Sequence, residues 1–150
     1  SVVLAAIFVY PIKSCAGVRV DDWPLTKKGL KYDRHFAIIN DQGKVITQKQ
    51  FPMLALVQPS FHVDVLDGKS FLTLHITAPA TTTALMVRLD PIGMKKGVIS
   101  EKENEGKSVE FSICGRKVFG QNLSHDANQW FTDFLNQASD KSQIEESSKR

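Results

Sequence analysis

The stretch VYPIKSCAG, residues 9–17, sets a cation, a hydroxyl and a thiol in succession, Lys13, Ser14 and Cys15, just behind a proline that closes an apolar run. Proline fixes φ and withholds a donor, so the residues after Pro11 are expected to leave the strand ladder with N–H groups free for a ligand. A lysine point charge, a serine hydroxyl and Gly17, which lets backbone approach closely, are ingredients of a phosphate site. The alternative is a lysine merely solvated at a strand end. A second candidate is Arg34 in LKYDRHFAI. It opens a strand whose Phe36 and Ile38 share its face, which puts a guanidinium fork at the rim of an apolar side, where it suits bidentate phosphate recognition. An ion pair with Asp33 is the simpler account of that arginine.

Other chemistry-bearing residues give weaker signals. His35, His62, His75 and His125 are scattered without ligand spacing, which argues against a metal centre or a catalytic triad. Cys15 beside Lys13 has the makings of a nucleophile, but a small buried hydrophobe is the simpler role. Cys15 and Cys114 form no CxxC pair and read as reduced thiols of a cytosolic-type compartment. Lys27, Lys28 and Lys31 read as a solvated turn, since no row of aromatics accompanies them. Trp23 and Trp130 read as core or helix-docking residues. No Walker loop, GxSxG or GxGxxG occurs.

The elements that must position these residues are mostly strands. Residues 2–10 read as a buried strand; the run has no basic leader and falls short of the ~20 apolar residues that span a bilayer. Residues 18–20 alternate, and 34–40 and 44–50 flank the turn NDQG, which predicts a β-hairpin over 34–50. A second hairpin is expected at 61–77, with Phe61, Val63 and Val65 on one face of its first strand and Leu72, Leu74 and Ile76 on one face of its second. Further strands are expected at 84–90, at 108–113 and, after the turn CGRK, at 117–123. The glycine-rich, charged stretch 91–107 reads as a mobile surface loop. One helix is expected: Ser124 is its N-cap, Asp126 suits its N-terminus, and Ala127, Trp130, Phe131, Phe134 and Leu135 fall on one stripe. The predicted fold is mainly β, a β-barrel of about 7–8 mostly antiparallel strands with one C-terminal helix, forming a domain over 1–137. Residues 138–150 are expected as a disordered tail or truncated linker.

Composition sets limits without naming a task. A chain of 150 residues with 42% hydrophobic and 23% charged residues is of ordinary globular character and single-domain size. A formal charge of +3 is too small to demand a nucleic-acid partner, yet it tolerates an anionic ligand. The missing initiator methionine suggests a piece of something longer.

Three blocks together resemble a known family. VYPIKSCAG, WPLTKKGLKYDRHFAIINDQGKVITQKQFPMLALVQPSF and CGRKVFGQNLSHDANQWFTDFL, in that order from about residue 5 to 135, resemble the N-terminal β-barrel domain that precedes the MOSC domain in molybdenum cofactor sulfurases and mitochondrial amidoxime-reducing proteins. The blocks WPLTKKGL and TQKQFP look closer to the sulfurases, because the reductases tend to read TARQ where this chain reads TQKQ. Departures exist too: the family's DR is usually followed within two residues by tryptophan, where this chain has Phe36.

The resemblance implies that the domain, with an adjoining MOSC core, binds the molybdenum cofactor (molybdopterin), lending Lys13, Ser14 and Arg34. It implies no metal ligand and no catalytic residue within this chain, since the cysteine that binds molybdenum belongs to the MOSC core. Pyridoxal phosphate would belong to a separate domain of a sulfurase parent. A cytoplasmic location follows for a sulfurase, the mitochondrial outer membrane for a reductase. The expected partner is the MOSC core of the parent chain, with no nucleic acid and no membrane for this segment. A non-catalytic protein-interaction barrel is the alternative of another class.

Overall fold

The computed structural model describes residues 2–79, 81–89 and 107–147, with side chains placed as far as residue 137. In chain order the strands are β1 (Ile7–Val9), β2 (Val18–Val20), β3 (Leu25–Thr26), β4 (Gly29–Leu30), β5 (Gln58–Leu66), β6 (Lys69–Thr77), β7 (Leu85–Arg88), β8 (Ser108–Ile113) and β9 (Arg116–Gln121). A 3₁₀ turn at Pro52–Leu56 precedes β5, and the helix α1 (His125–Ser147) closes the chain. The fold is mainly β with a single C-terminal helix. Among the described residues the strands form four separate antiparallel sheets, β1-β2, β3-β4, β5-β6-β7 and β8-β9, with no ladder closing them into a barrel.

The regular ladders form where alternation is long and the turn chemistry is explicit. Asp67 and Gly68 both take positive φ, 51° and 71°, as a two-residue hairpin turn of the primed type requires. That turn fixes the β5–β6 register, so Phe61 faces Leu74 and Val63 faces Leu72, as their alternation predicts. β7 adds Val87 opposite Leu74 and Leu85 opposite Ile76. The core covers only one end of the hairpin: Leu74 and Ile76 are buried, while Val63 and Val65 remain 70% and 67% exposed.

Helix α1 lies over this sheet. The Ser124 hydroxyl accepts from the Ala127 N–H at 3.1 Å, the expected N-cap. Ala127 and Phe134 are buried, with Trp130, Phe131 and Leu135 packed around them against the same core. The Trp130 indole N–H donates to the Thr83 carbonyl at 2.9 Å, tying the helix to the chain before β7. Helical backbone runs on to Ser147, through a segment expected to be a disordered tail. No helix among the described residues is long and apolar enough to cross a membrane.

Two expectations are corrected. Residues 2–10 are not one buried strand: the ladder holds only Ile7–Val9, because β2 ends opposite Ile7 at Val20, and Val2, Val3 and Leu4 are 81% or more exposed. Nor is 34–50 a regular hairpin. The turn NDQG forms, with Asn40 Oδ1 accepting from the Gln42 and Lys44 N–H groups, but pairing shrinks to the Ile39–Val45 bridge. Phe36 instead gives its N–H to Pro11 and its carbonyl to Lys13, a parallel bridge to the first segment. At the other end, Gln50 and Phe51 N–H both donate to the Thr47 carbonyl, turning the chain before a longer strand can extend. The stretch expected as a mobile loop lies, but for Lys107, outside the described residues.

Candidate functional site

Three irregular segments meet beside the core: 10–17, 30–36 and 47–51. The first two are joined by backbone. Arg34 N–H donates to the Tyr10 carbonyl at 2.6 Å, Phe36 N–H to Pro11 at 2.9 Å, and Lys13 N–H to Phe36 at 2.9 Å. Buried Pro11 and Ile12 anchor this seam, so the loops that carry Lys13, Ser14 and Arg34 are fixed to one another. The sequence-level candidates therefore sit on one joined piece of backbone.

Asp33 strengthens the joint. Its Oδ1 accepts from the Tyr10 N–H at 2.8 Å, and its Oδ2 pairs with Arg34 Nη1 at 2.5 Å. The ion pair that sequence favoured for Arg34 is thus present, but the Arg34 side chain is 66% exposed. An exposed pair of this kind contributes at most about 1 kcal/mol and is screened by salt. A guanidinium carries five N–H donors, so pairing at Nη1 leaves others for a second anion.

The local backbone is strained. Ser14, Tyr32 and Arg34 hold φ of 71°, 65° and 50°, the left-handed region that non-glycine residues enter at about 1–2 kcal/mol each. Ser14 stands third in a turn closed by Cys15 N–H donating to Ile12 at 3.2 Å, a position where glycine or asparagine is usual. Tyr32 and Arg34 occupy the corresponding place in two successive turns, closed from Asp33 to Leu30 and from His35 to Tyr32. Strain of this kind survives only where surrounding contacts over-determine it, and it concentrates at functional sites.

Several details differ from the sequence expectation. The N–H groups of Lys13, Cys15 and Ala16 are all committed to backbone carbonyls. Among the described residues, the Ser14 N–H, the Ser14 hydroxyl and the Lys13 ammonium have no hydrogen-bonding or ionic partner, so the available donors are fewer than expected. Gly17 serves a different approach from the one expected: a Cβ there would lie 2.8 Å from the Tyr10 ring, which itself lies 5.9 Å from the Arg34 guanidinium carbon. Cys15 is 3% exposed, and burial pushes its thiol up to about 12, so it stays protonated at neutral pH and packs as a hydrophobe.

Sequence reasoning missed two arrangements. Gln48 Nε2 donates to the Ser14 carbonyl at 2.8 Å across 34 residues. His62 and His75 stack with ring centres 4.0 Å apart, because the β5–β6 register puts them on neighbouring diagonal positions of one face. Asp64 shares that face; the Thr73 hydroxyl donates to it at 2.5 Å and His75 Nε2 lies 3.6 Å away. The turn residues DG, counted back to the strands, were the signal that would have paired these histidines. Among the described residues no group of three histidine, cysteine or carboxylate side chains is arranged to hold a metal ion. His35 and Phe36 also line a recess of about 360 Å³ with Arg88, Leu89 and residues 121–123.

Comparison with known proteins gives this geometry a family. The chain is 31% identical over 135 residues to a molybdenum cofactor sulfurase of Danio rerio, an alignment covering 90% of this chain and 14% of that protein. It is 38% identical over 135 residues to the sulfurase of Drosophila erecta, covering 88% and 15%. It is also 30% identical over 140 residues to the mitochondrial amidoxime-reducing component 1 of Mus musculus, covering 88% and 34%. The chain thus spans about one-seventh of the length of these sulfurases and one-third of the reducing component. No solved structure matches it. The profile of the MOSC N-terminal beta barrel domain matches residues 1–138, and the chain belongs to that family.

Proposed function

We propose that the chain is an accessory cofactor-binding domain of a molybdenum cofactor sulfurase, in which Lys13, Ser14 and Arg34 hold the phosphate end of molybdopterin against an adjoining MOSC core. The observation that carries this reading is the hydrogen-bonded seam between residues 10–13 and 34–36, which joins the two loops bearing all three residues. The donor set suits a phosphate: a point charge at Lys13, an N–H and hydroxyl at Ser14 without a partner among the described residues, and the remaining fork of Arg34. Asp33 beside Arg34 reduces the local positive charge, so binding relies on directed donors more than on net charge. The cofactor supplies the molybdenum chemistry; the residues of this chain bind and orient.

On this reading the chain has no catalytic residue of its own. The parent would be a cytoplasmic sulfurtransferase whose pyridoxal-phosphate chemistry lies in a separate domain. A second reading, favoured by the murine relative, makes the parent an amidoxime-reducing protein of the mitochondrial outer membrane. An aminotransferase-like region upstream in the gene indicates the first, a short membrane anchor the second.

Titration with inorganic phosphate and then with molybdopterin, followed by backbone amide NMR, tests the site. Saturable shifts centred on Ser14, Arg34 and their neighbours are expected. Shifts confined to distant residues would count in favour of a protein-interaction barrel.

A further inference from the structure

The block TQK, residues 47–49, is part of the family resemblance, and its Gln48 carries no charge for an anion yet reaches the Ser14 carbonyl. We propose that Gln48 is a positioning residue for the anion site, its side-chain amide bracing the left-handed turn that presents Lys13 and Ser14. This inference rests on the phosphate reading of Lys13, Ser14 and Arg34.

The turn holds its shape through one peptide unit. The N–H of that unit, from Cys15, donates to the Ile12 carbonyl at 3.2 Å, and its carbonyl, from Ser14, accepts from Gln48 Nε2 at 2.8 Å. Both ends of the Ser14–Cys15 peptide are therefore fixed. The preceding peptide carries the Ser14 N–H, which has no partner among the described residues, so its direction follows from how its neighbour is held. A serine at φ 71° has no intrinsic preference to remain there.

Gln48 is itself anchored. Gln50 and Phe51 N–H groups both donate to the Thr47 carbonyl at 3.0 Å, and Gln50 Oε1 accepts from the Thr47 N–H at 3.3 Å. Phe51 packs against the buried core, so the donor arrives on a turn tied to it. A neutral amide also suits the place electrostatically. It fixes the carbonyl without adding a carboxylate that would repel an anion.

The test compares Gln48→Ala, Arg34→Lys, Ser14→Gly and the double variant Gln48→Ala/Ser14→Gly, with inorganic phosphate as probe. Gln48→Ala is expected to weaken phosphate binding about five- to tenfold, the effect of one neutral hydrogen bond, with only a small fall in the unfolding midpoint. Glycine takes positive φ at no steric cost, so in the Ser14→Gly background the same change should weaken binding by less than about twofold. In the ligand-free protein, the Ser14 backbone carbon shifts should leave the left-handed range in Gln48→Ala.

Unmoved Ser14 shifts, or an equal loss of affinity in both backgrounds, would overturn the bracing role. So would unchanged phosphate affinity in Gln48→Ala when Arg34→Lys binds more weakly. Failure of the unsubstituted chain to bind phosphate saturably overturns the anion reading beneath it, a result distinct from the other three.

Discussion

The β5–β6–β7 sheet under α1 and the three-loop cluster at 10–17, 30–36 and 47–51 are built on opposite terms. In the sheet, alternation, turn type and register agree, and the result is a long ladder with fully buried Leu74 and Ile76. In the loop cluster three non-glycine residues sit left-handed, strand pairing shrinks to single bridges, and the Ser14 N–H and hydroxyl and the Lys13 ammonium have no partner among the described residues. The comparison teaches where each property resides. Apolar burial in the sheet supplies stability; the loop cluster draws on it to hold strained backbone in a fixed shape.

The most forceful way to break the contrast is Leu74→Ala. Leu74 is fully buried between Phe61 and Val87, so the cavity should destabilise the chain by about 2–5 kcal/mol in urea or guanidinium unfolding. The molecules still folded should bind phosphate as before. Arg34→Lys should do the reverse. Stability should stay within about 0.5 kcal/mol, because the ion pair with Asp33 is exposed, whereas phosphate affinity falls about tenfold since a point charge does not reproduce the fork. Equal affinity in calorimetric titration would remove Arg34 from the site.

Ser14→Gly sharpens the comparison from within the loops. Relief of the left-handed strain, less the greater freedom of glycine in the unfolded chain, should raise stability by about 0.5–1 kcal/mol while phosphate binds more weakly. A loss of stability would mean that the turn is not strained at Ser14.

The smallest effect is expected from pH. The Thr73 hydroxyl, with His75 and His62 adding to it, holds the Asp64 carboxyl below its ordinary value. A depressed folded value stabilises the chain at pH above the unfolded carboxylate range, about 3.9, and that contribution is lost as pH falls through the lower folded value. In Thr73→Val the carboxyl should rise toward its ordinary value, so the acid-side decline in melting temperature below about pH 4 should be shallower. An unchanged decline would show that Asp64 does not report on the sheet.

Much of the fold was readable from residues. The 61–77 hairpin followed from alternation around DG, and the helix from Ser124 and its apolar stripe. The failures share one cause. Alternation at 34–50 was genuine, but Phe36 spent its backbone groups on Pro11 and Lys13, a partner more than twenty residues away that periodicity does not name. Residues 2–6 were apolar yet exposed, because burial needs a neighbouring strand and β2 stops at Val20.

The candidate site divides the same way. Residue type alone marked Lys13, Ser14 and Arg34 as anion donors, since charge and hydrogen-bonding capacity belong to the side chain wherever it lies. Only the tertiary structure decided which donors stay free, that Asp33 shares Arg34, that Gly17 makes room for Tyr10, and that Gln48 reaches Ser14. These are contacts between segments distant in sequence, and their geometry depends on how the whole backbone closes, which no local pattern encodes.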